Sequence, residues 1–245
     1  MTNVHSLTTL DQYKISLREF SDPKLNSKTC WIVVPGFLNH SQSKNFKILC
    51  KDLTSLDAAV FCLDLRGTGE SEGRFSFGDL EYLDVVAAIQ FAKQKYEEVK
   101  VLGFSLGAYD SLRAHCESGE SVHELFLVSC PTSVLNIIFQ GHGLKHCVGM
   151  LYQRSPFPKD RSFGFRWGNP FPQKPNAETF AVQACAPVHF LIGSKDFLVP
   201  PKMTSKIFAH VSSRLKTWKL VDGGPHAELL YLLNPKDFKS WLANP

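Results

Sequence analysis

The stretch VKVLGFSLGAYDSLRAH, residues 99–115, constrains this chain more than any other. An apolar run reads as a strand, GFSLG turns at 103–107, and a helical pattern follows. A serine at the point of a strand-to-helix turn sits on strained backbone with its hydroxyl exposed. Gly103 and Gly107 flank Ser105, where a side chain would collide with the sharply turned chain. Ala108 is also small and lets the new helix pack closely. The helix N-terminus favours negative charge in front of it. These residues predict Ser105 to be a nucleophile.

The bare pattern G-x-S-x-G recurs as GESEG at 69–73, around Ser71. Its context differs: Arg66, Glu70, Glu72 and Arg74 crowd it, and Phe75, Ser76, Phe77 and Gly78 follow instead of a helix. Ser71 therefore reads as a loop residue.

Apolar runs recur along the chain at 29–36, 58–65, 99–105, 124–129, 187–194 and 214–221. Most are continuous rather than alternating, as in strands buried on both faces. The segment between the second and third, 79–96, places Leu80, Leu83, Ala87 and Phe91 at helical spacing and predicts a helix packed by those residues. Strand alternating with helix predicts an α/β chain with a mostly parallel sheet covered on both faces. Tyr13, Ile15 and Leu17 alternate with polar residues, which predicts an antiparallel edge hairpin at the start. A length of 245 residues fits one such domain. The rhythm breaks once, where about fifty residues rich in Gly, Pro and aromatics precede the run at 187–194. Such an interval reads as a lid or binding insertion.

Composition narrows the class. A net charge of +4 is too mild to argue for nucleic acid, and no basic run supports it. The N-terminal residues lack the basic and apolar regions of a secretory signal. No stretch approaches the ~20 apolar residues that span a bilayer. Seven cysteines without a CxxC pair, several inside apolar runs, point to free thiols, a reducing compartment and a cytoplasmic location. No ligand spacing suggests a metal.

A serine hydroxyl needs a base, and the base needs an orienting carboxylate. In this architecture they follow in the order Ser, acid, His, on loops after later strands. Asp196 lies in GSKDFLVP and His226 in GGPHAE, each just after an apolar run. The rival Asp222 is only four residues from His226, Glu228 follows it, and Asp64 precedes the serine. His40 sits in a loop near the expected site but reads as structural or solvated. The developing oxyanion needs two N–H donors. Leu106, next after the nucleophile, supplies one. The loop PGFLNHSQS at 35–43 supplies the other through Phe37, since Pro35 has no N–H and Gly36 permits close approach.

GFSLG, the PGF loop, LDLRGTGESEG, GSKDFLVP and GGPHAE, in that order from about residue 29 onward, together resemble the α/β-hydrolase superfamily, and within it small serine carboxylesterases of the feruloyl/cinnamoyl type. Pro35 stands where a histidine is usual, Ala108 where a second glycine is common, and Pro225 where glycine usually precedes the histidine. The resemblance implies an α/β-hydrolase fold over 1–245 with a small cap inserted at about 131–183. It gives Asp64 and Arg66 a loop-stabilising role. It implies ester cleavage through an acyl-enzyme on the triad Ser105, Asp196 and His226, with Phe37 and Leu106 as the oxyanion hole and no metal or organic cofactor.

The insertion carries Phe139, Leu151, Tyr152, Phe157, Phe163, Phe165, Trp167 and Phe171, which either pack it on the core or line an acyl pocket. Residues 131–180 also hold Lys145, Arg154, Lys159, Arg161, Arg166 and Lys174 against Asp160 and Glu178. That excess is either a solvated face or a site for an anionic acyl thioester of coenzyme A or a carrier protein. An idle hydrolase scaffold used for binding is the non-enzymatic alternative.

Overall fold

A continuous apolar run becomes a central strand only where both its faces are covered. In the computed structural model, which describes residues 3–21, 26–134, 137, 166, 168 and 175–245, all six apolar runs are strands. With the opening hairpin they make an eight-stranded sheet in the order β1-β2-β4-β3-β5-β6-β7-β8. The strands are β1 (Val4–Thr8), β2 (Lys14–Glu19), β3 (Thr29–Val34), β4 (Ala59–Leu63), β5 (Glu98–Phe104), β6 (Glu124–Val128), β7 (Val188–Gly193) and β8 (Lys216–Val221). β1–β2 and β2–β4 pair antiparallel, and every other pairing is parallel. In β2 Ile15, Ser16 and Leu17 are all buried, because β1 and not β2 forms the edge. Tyr13 lies ahead of β2 and is exposed, with the Arg66 guanidinium 5.4 Å from its ring centre.

The pleat divides each apolar strand between two cores. Cys30, Ile32 and Val34 of β3 face one side, where α2 (Glu81–Lys93), α3 (Leu106–Ser118), α4 (Ala177–Ala181) and α5 (Pro201–His210) pack. Trp31 and Val33 face the other, covered by α1 (Lys44–Leu53), α6 (Leu229–Leu233) and α7 (Pro235–Ala243). Trp241, 1% exposed, closes that second core with its ring edge-on to Phe126.

α2 corrects the face expected from its apolar spacing. Of the four spaced residues Ala87 is buried and the half-buried Phe91 packs on the same core, but Leu83 is half-buried and Leu80 exposed, and the deeply buried residues are Val85, Val86, Ala88, Ile89 and Ala92. Glu81 and Asp84 share that inward face, so a polar pair lies where the pattern calls for apolar residues. Glu81 accepts bonds from the Ser76 hydroxyl (2.8 Å) and the Gly78 amide (2.7 Å). Asp84 accepts from the Arg66 amide (2.7 Å) and from its guanidinium (3.0 and 2.7 Å).

Of the expected cap at about 131–183, residues 131–134, 137, 166, 168 and 175–183 are described. Phe139, Leu151, Tyr152, Phe157, Phe163, Phe165, Trp167 and Phe171, and every insertion base except Arg166, lie outside the described residues. Parallel strands bring their carboxyl ends to one edge of the sheet. The loops after β3, β5, β7 and β8 therefore open side by side, and they carry Phe37, Ser105, Asp196 and His226.

Candidate active site

Ser105 occupies the one-residue joint between β5 and α3 with φ 51° and ψ −118°, a strained conformation for a residue with a side chain. The tightness of the joint explains its glycines. A Cβ on Gly103 would lie 2.6 Å from the Ala108 Cα, and one on Gly107 would lie 2.3 Å from the Val34 carbonyl oxygen. The Ser105 amide donates to the Val128 carbonyl at 2.8 Å, which ties the joint to β6.

His226 Nε2 is 3.0 Å from Ser105 Oγ. Its Nδ1 is 2.9 and 2.8 Å from the two Asp196 carboxylate oxygens. A carboxylate only accepts, so Nδ1 carries the ring proton and Nε2 is left to accept from the serine hydroxyl. Asp196 Oδ1 also accepts from the amides of Leu198 (3.1 Å) and Val199 (2.9 Å). Asp196 is buried and the histidine side chain is 15% exposed. Three residues separated by 121 and 30 positions are thus joined in one hydrogen-bonded line.

Several residues that hold this line together are missing from the sequence reading. A Cβ on Gly193, at the end of β7, would lie 2.1 Å from the Gly224 carbonyl oxygen. That same carbonyl accepts from the Lys195 amide at 3.0 Å, which locks the Asp196 loop to the His226 loop. Beyond the histidine, Ala227 has φ 49° and donates its amide to Ser129 Oγ at 3.0 Å. The signal available was the glycine closing the run at 187–194 and the pair Gly223–Gly224, whose mutual contact no local pattern encodes.

The other candidates fall to structural duties. Asp222 accepts from Ser194 Oγ at 3.2 Å, and Glu228 accepts from Asn39 Nδ2 at 3.4 Å. Ser71 is fully buried, donates to the Asp64 carbonyl and accepts from the Ser16 amide at 2.8 Å. Asp64 accepts from the amides of Ser41 (2.6 Å) and Glu70 (3.0 Å), as expected of a loop stabiliser. Arg66 is buried between Asp84 and Asp11, with a bond of 2.6 Å to the latter, and these acids hold its charge firmly in place. The His40 amide donates to Ser43 Oγ at 3.0 Å and its Nδ1 accepts from the Gln42 amide at 3.3 Å, which makes it part of the turn before α1.

Leu106 opens α3, and a first-turn amide has no carbonyl one turn back to bond. The PGF loop runs beside the joint: a Cβ on Gly36 would lie 3.1 Å from the Ser105 Cβ. The Phe37 ring packs on Phe75 and Phe77, with centroids 5.5 and 5.7 Å apart. Among the described residues no cluster of His, Cys, Asp or Glu could hold a metal ion, and no helix is long and apolar enough to cross a membrane.

Solved structures share this fold. An esterase of Pyrococcus furiosus superposes with a TM-score of 0.78 at 20% identity, covering 99% of this chain and 88% of that one. A Butyrivibrio proteoclasticus protein with ferulic acid bound superposes with a TM-score of 0.67 at 16% identity, covering 97% of both chains. A Xanthomonas campestris α/β serine hydrolase described as lacking a lid gives 0.60 at 16%, covering 98% of this chain and 91% of that one. The architecture is the α/β-hydrolase fold. A comparison with curated proteins finds no match. The sequence of residues 26–162, more than half of the chain and the part that contains the Ser105 joint, matches a family of serine hydrolases, and the chain belongs to that family, Hydrolase_4 (serine aminopeptidase, S33).

Proposed function

We propose that this protein is a serine carboxylesterase that works through an acyl-enzyme. The observation that carries the reading is the unbroken hydrogen-bonded line from Ser105 through His226 to Asp196. His226 takes the hydroxyl proton as Ser105 Oγ attacks the ester carbonyl. Asp196 keeps the imidazole in the right tautomer and stabilises the imidazolium. The amides of Phe37 and Leu106 hold the oxyanion. The tetrahedral adduct collapses, His226 hands its proton to the departing alkoxide, and Ser105 keeps the acyl group. Water, deprotonated by His226, then attacks the acyl-enzyme and releases the acid.

The test is a rate panel on p-nitrophenyl esters and acyl thioesters with wild type and Ser105→Ala. The expected loss in the variant is at least about 10³-fold in kcat on esters. Ester hydrolysis that survives the substitution overturns the mechanism. A folded wild-type protein that neither turns over esters nor takes a fluorophosphonate label on Ser105 would instead be a binding scaffold. The basic excess of residues 131–180 favours a second reading, an acyl thioesterase or acyltransferase for anionic substrates. That reading requires thioesters to outpace neutral esters in the panel.

A further inference from the structure

Arg166 is one of the six bases of the insertion, and its surroundings give it a different task from holding an anionic substrate. Its amide donates to the Gly67 carbonyl at 2.9 Å, and its carbonyl accepts from the Phe75 amide at 2.7 Å. Two residues on, the Gly168 amide donates to the Phe75 carbonyl at 2.7 Å. The guanidinium completes the grip, with Nε donating to the Gly73 carbonyl at 3.0 Å and Nη2 to the Ser71 carbonyl. Four carbonyls or amides of one loop, at residues 67, 71, 73 and 75, are thus held by one arginine. The approach is close enough to need glycine on both sides. A Cβ on Gly67 would lie 2.7 Å from the Arg166 carbonyl oxygen, and one on Gly168 would lie 2.7 Å from that of Phe75.

The loop so held ends on the oxyanion segment. Phe75 is fully buried, and its ring meets that of Phe37 at 5.5 Å and that of Phe77 at 5.3 Å. The opposite side of the loop is already fixed, by Ser71 Oγ between the Ser16 amide and the Asp64 carbonyl, by the Glu70 amide on the Asp64 carboxylate at 3.0 Å and by the Glu72 amide on the Lys14 carbonyl at 2.7 Å. Arg166 therefore supplies the side of the grip that determines how far Phe75 presses on Phe37. We infer that Arg166 is a positioning residue, which sets the Phe37 amide for the oxyanion by clamping the 67–75 loop beneath it. The inference rests on the assignment of Phe37 to the oxyanion hole made under the proposed function.

Arg166→Ala and Arg166→Lys separate a clamp from a substrate-binding cation, because lysine keeps the charge but lacks the fork that reaches two carbonyls. Each variant is assayed on a neutral p-nitrophenyl ester and on one whose acyl chain ends in a carboxylate. An alkylboronic acid, which bonds to the serine oxygen and places a boron-bound oxygen where the oxyanion forms, is the inhibitor. Both variants are expected to lose about tenfold in kcat on both esters, a fraction of the 10²–10³ that removing one oxyanion donor costs. KM should stay within about twofold, and the boronate should bind about tenfold more weakly. Phe75→Leu, which leaves the backbone grip in place, should reproduce that loss should the arginine variants fold poorly. A KM rise confined to the anionic ester and rescued by lysine overturns the clamp in favour of a binding cation. Unchanged kcat and boronate affinity in all three variants overturns it outright. Boronate that binds Ser105→Ala as tightly as wild type overturns the Ser105 assignment, and the clamp only with it.

Discussion

Asp110 sits five residues beyond Ser105 on α3, fully buried, and neither of its carboxylate oxygens has a hydrogen-bond partner among the described residues. Burial pushes its pKa well above the usual carboxylate range, and the nearby Glu81 and Asp84 reinforce this against Arg113 and Arg66. The group is thus protonated in the folded chain at pH values where the unfolded chain, with an ordinary value of about 3.9, has released the proton. Folded protein binds more protons, so its stability is fully present below the unfolded value and falls as pH rises toward the folded value. Asn at this position cannot ionise. The Asp110→Asn protein should match wild type in denaturant unfolding near pH 4 and gain on it as pH rises. The gain approaches about 1.4 kcal/mol per unit until the native carboxyl ionises. A gain equal at pH 4 and pH 8 would show that no native proton is involved. This residue was not legible in the sequence. Only the packing of α2 and α4 over α3 removes its water. Ser105, Asp196 and His226 were legible because the roles proposed for them impose a chain order and a place after strands, while Gly193, Gly224 and Ser129 act through contacts between loops far apart in sequence.

Strands β3 to β7 were legible at the scale of elements for the same reason that they are central, since a continuous apolar run must be buried on two faces, while β8 forms the far edge and has no buried residue. Helix α2 was legible as a helix but not in its orientation, because Glu81 and Asp84 take inward positions to serve Ser76, Gly78 and Arg66. The joining of β7 to β8 matters most for the candidate site, since the loops just past their ends carry Asp196 and His226. Gly193 is where those ends touch. Gly193→Ala places a methyl 2.1 Å from the Gly224 carbonyl oxygen, and neither a Cβ nor a main-chain carbonyl can rotate away. Overpacking of this kind costs about 1–3 kcal/mol. The movement that relieves it parts Asp196 from His226, and misplacement by about 1 Å costs on the order of 10² in rate. The expected result is a kcat/KM lower by about that factor with a moderate fall in Tm. Gly223→Ala is the control: Gly223 has φ +65° but nothing within 4 Å of a Cβ, so it should lose about 1 kcal/mol of stability and keep its rate. Wild-type turnover in Gly193→Ala would show that the two loops are placed independently.

The described residues form two large cores back to back on one sheet, with a small third cluster at Ile192, Leu198, Val199 and Met203, and the cysteines report on both large cores. Cys30 and Cys116 lie in the core beneath α2 and α3, with Cys130, while Cys50 and Cys62 lie in the core beneath α1, α6 and α7. Burial pushes the Cys30 and Cys116 thiols up to about 12 and also raises those of Cys62 and Cys130, so these four thiols are protonated as well as inaccessible. Cys185, before β7, is the exposed one among the described cysteines. Native protein treated with iodoacetamide should therefore be alkylated at Cys185 while the five buried ones stay protected, as read by peptide mass spectrometry. The two cores share every strand from β3 to β7, so neither can open without stripping the other face of the same residues from their neighbours. Labelling across a denaturant series should then expose Cys30, Cys116 and Cys130 at the same midpoint as Cys50 and Cys62. Were the helices α1, α6 and α7 to leave first, Cys50 and Cys62 would label at lower denaturant than the rest, and the sheet would be held by one face alone. The strands argue against that order. Val33 and Val34, Phe61 and Cys62, and Val101 and Leu102 are neighbours in the chain assigned to opposite cores, so losing either core costs the same strands half of their burial.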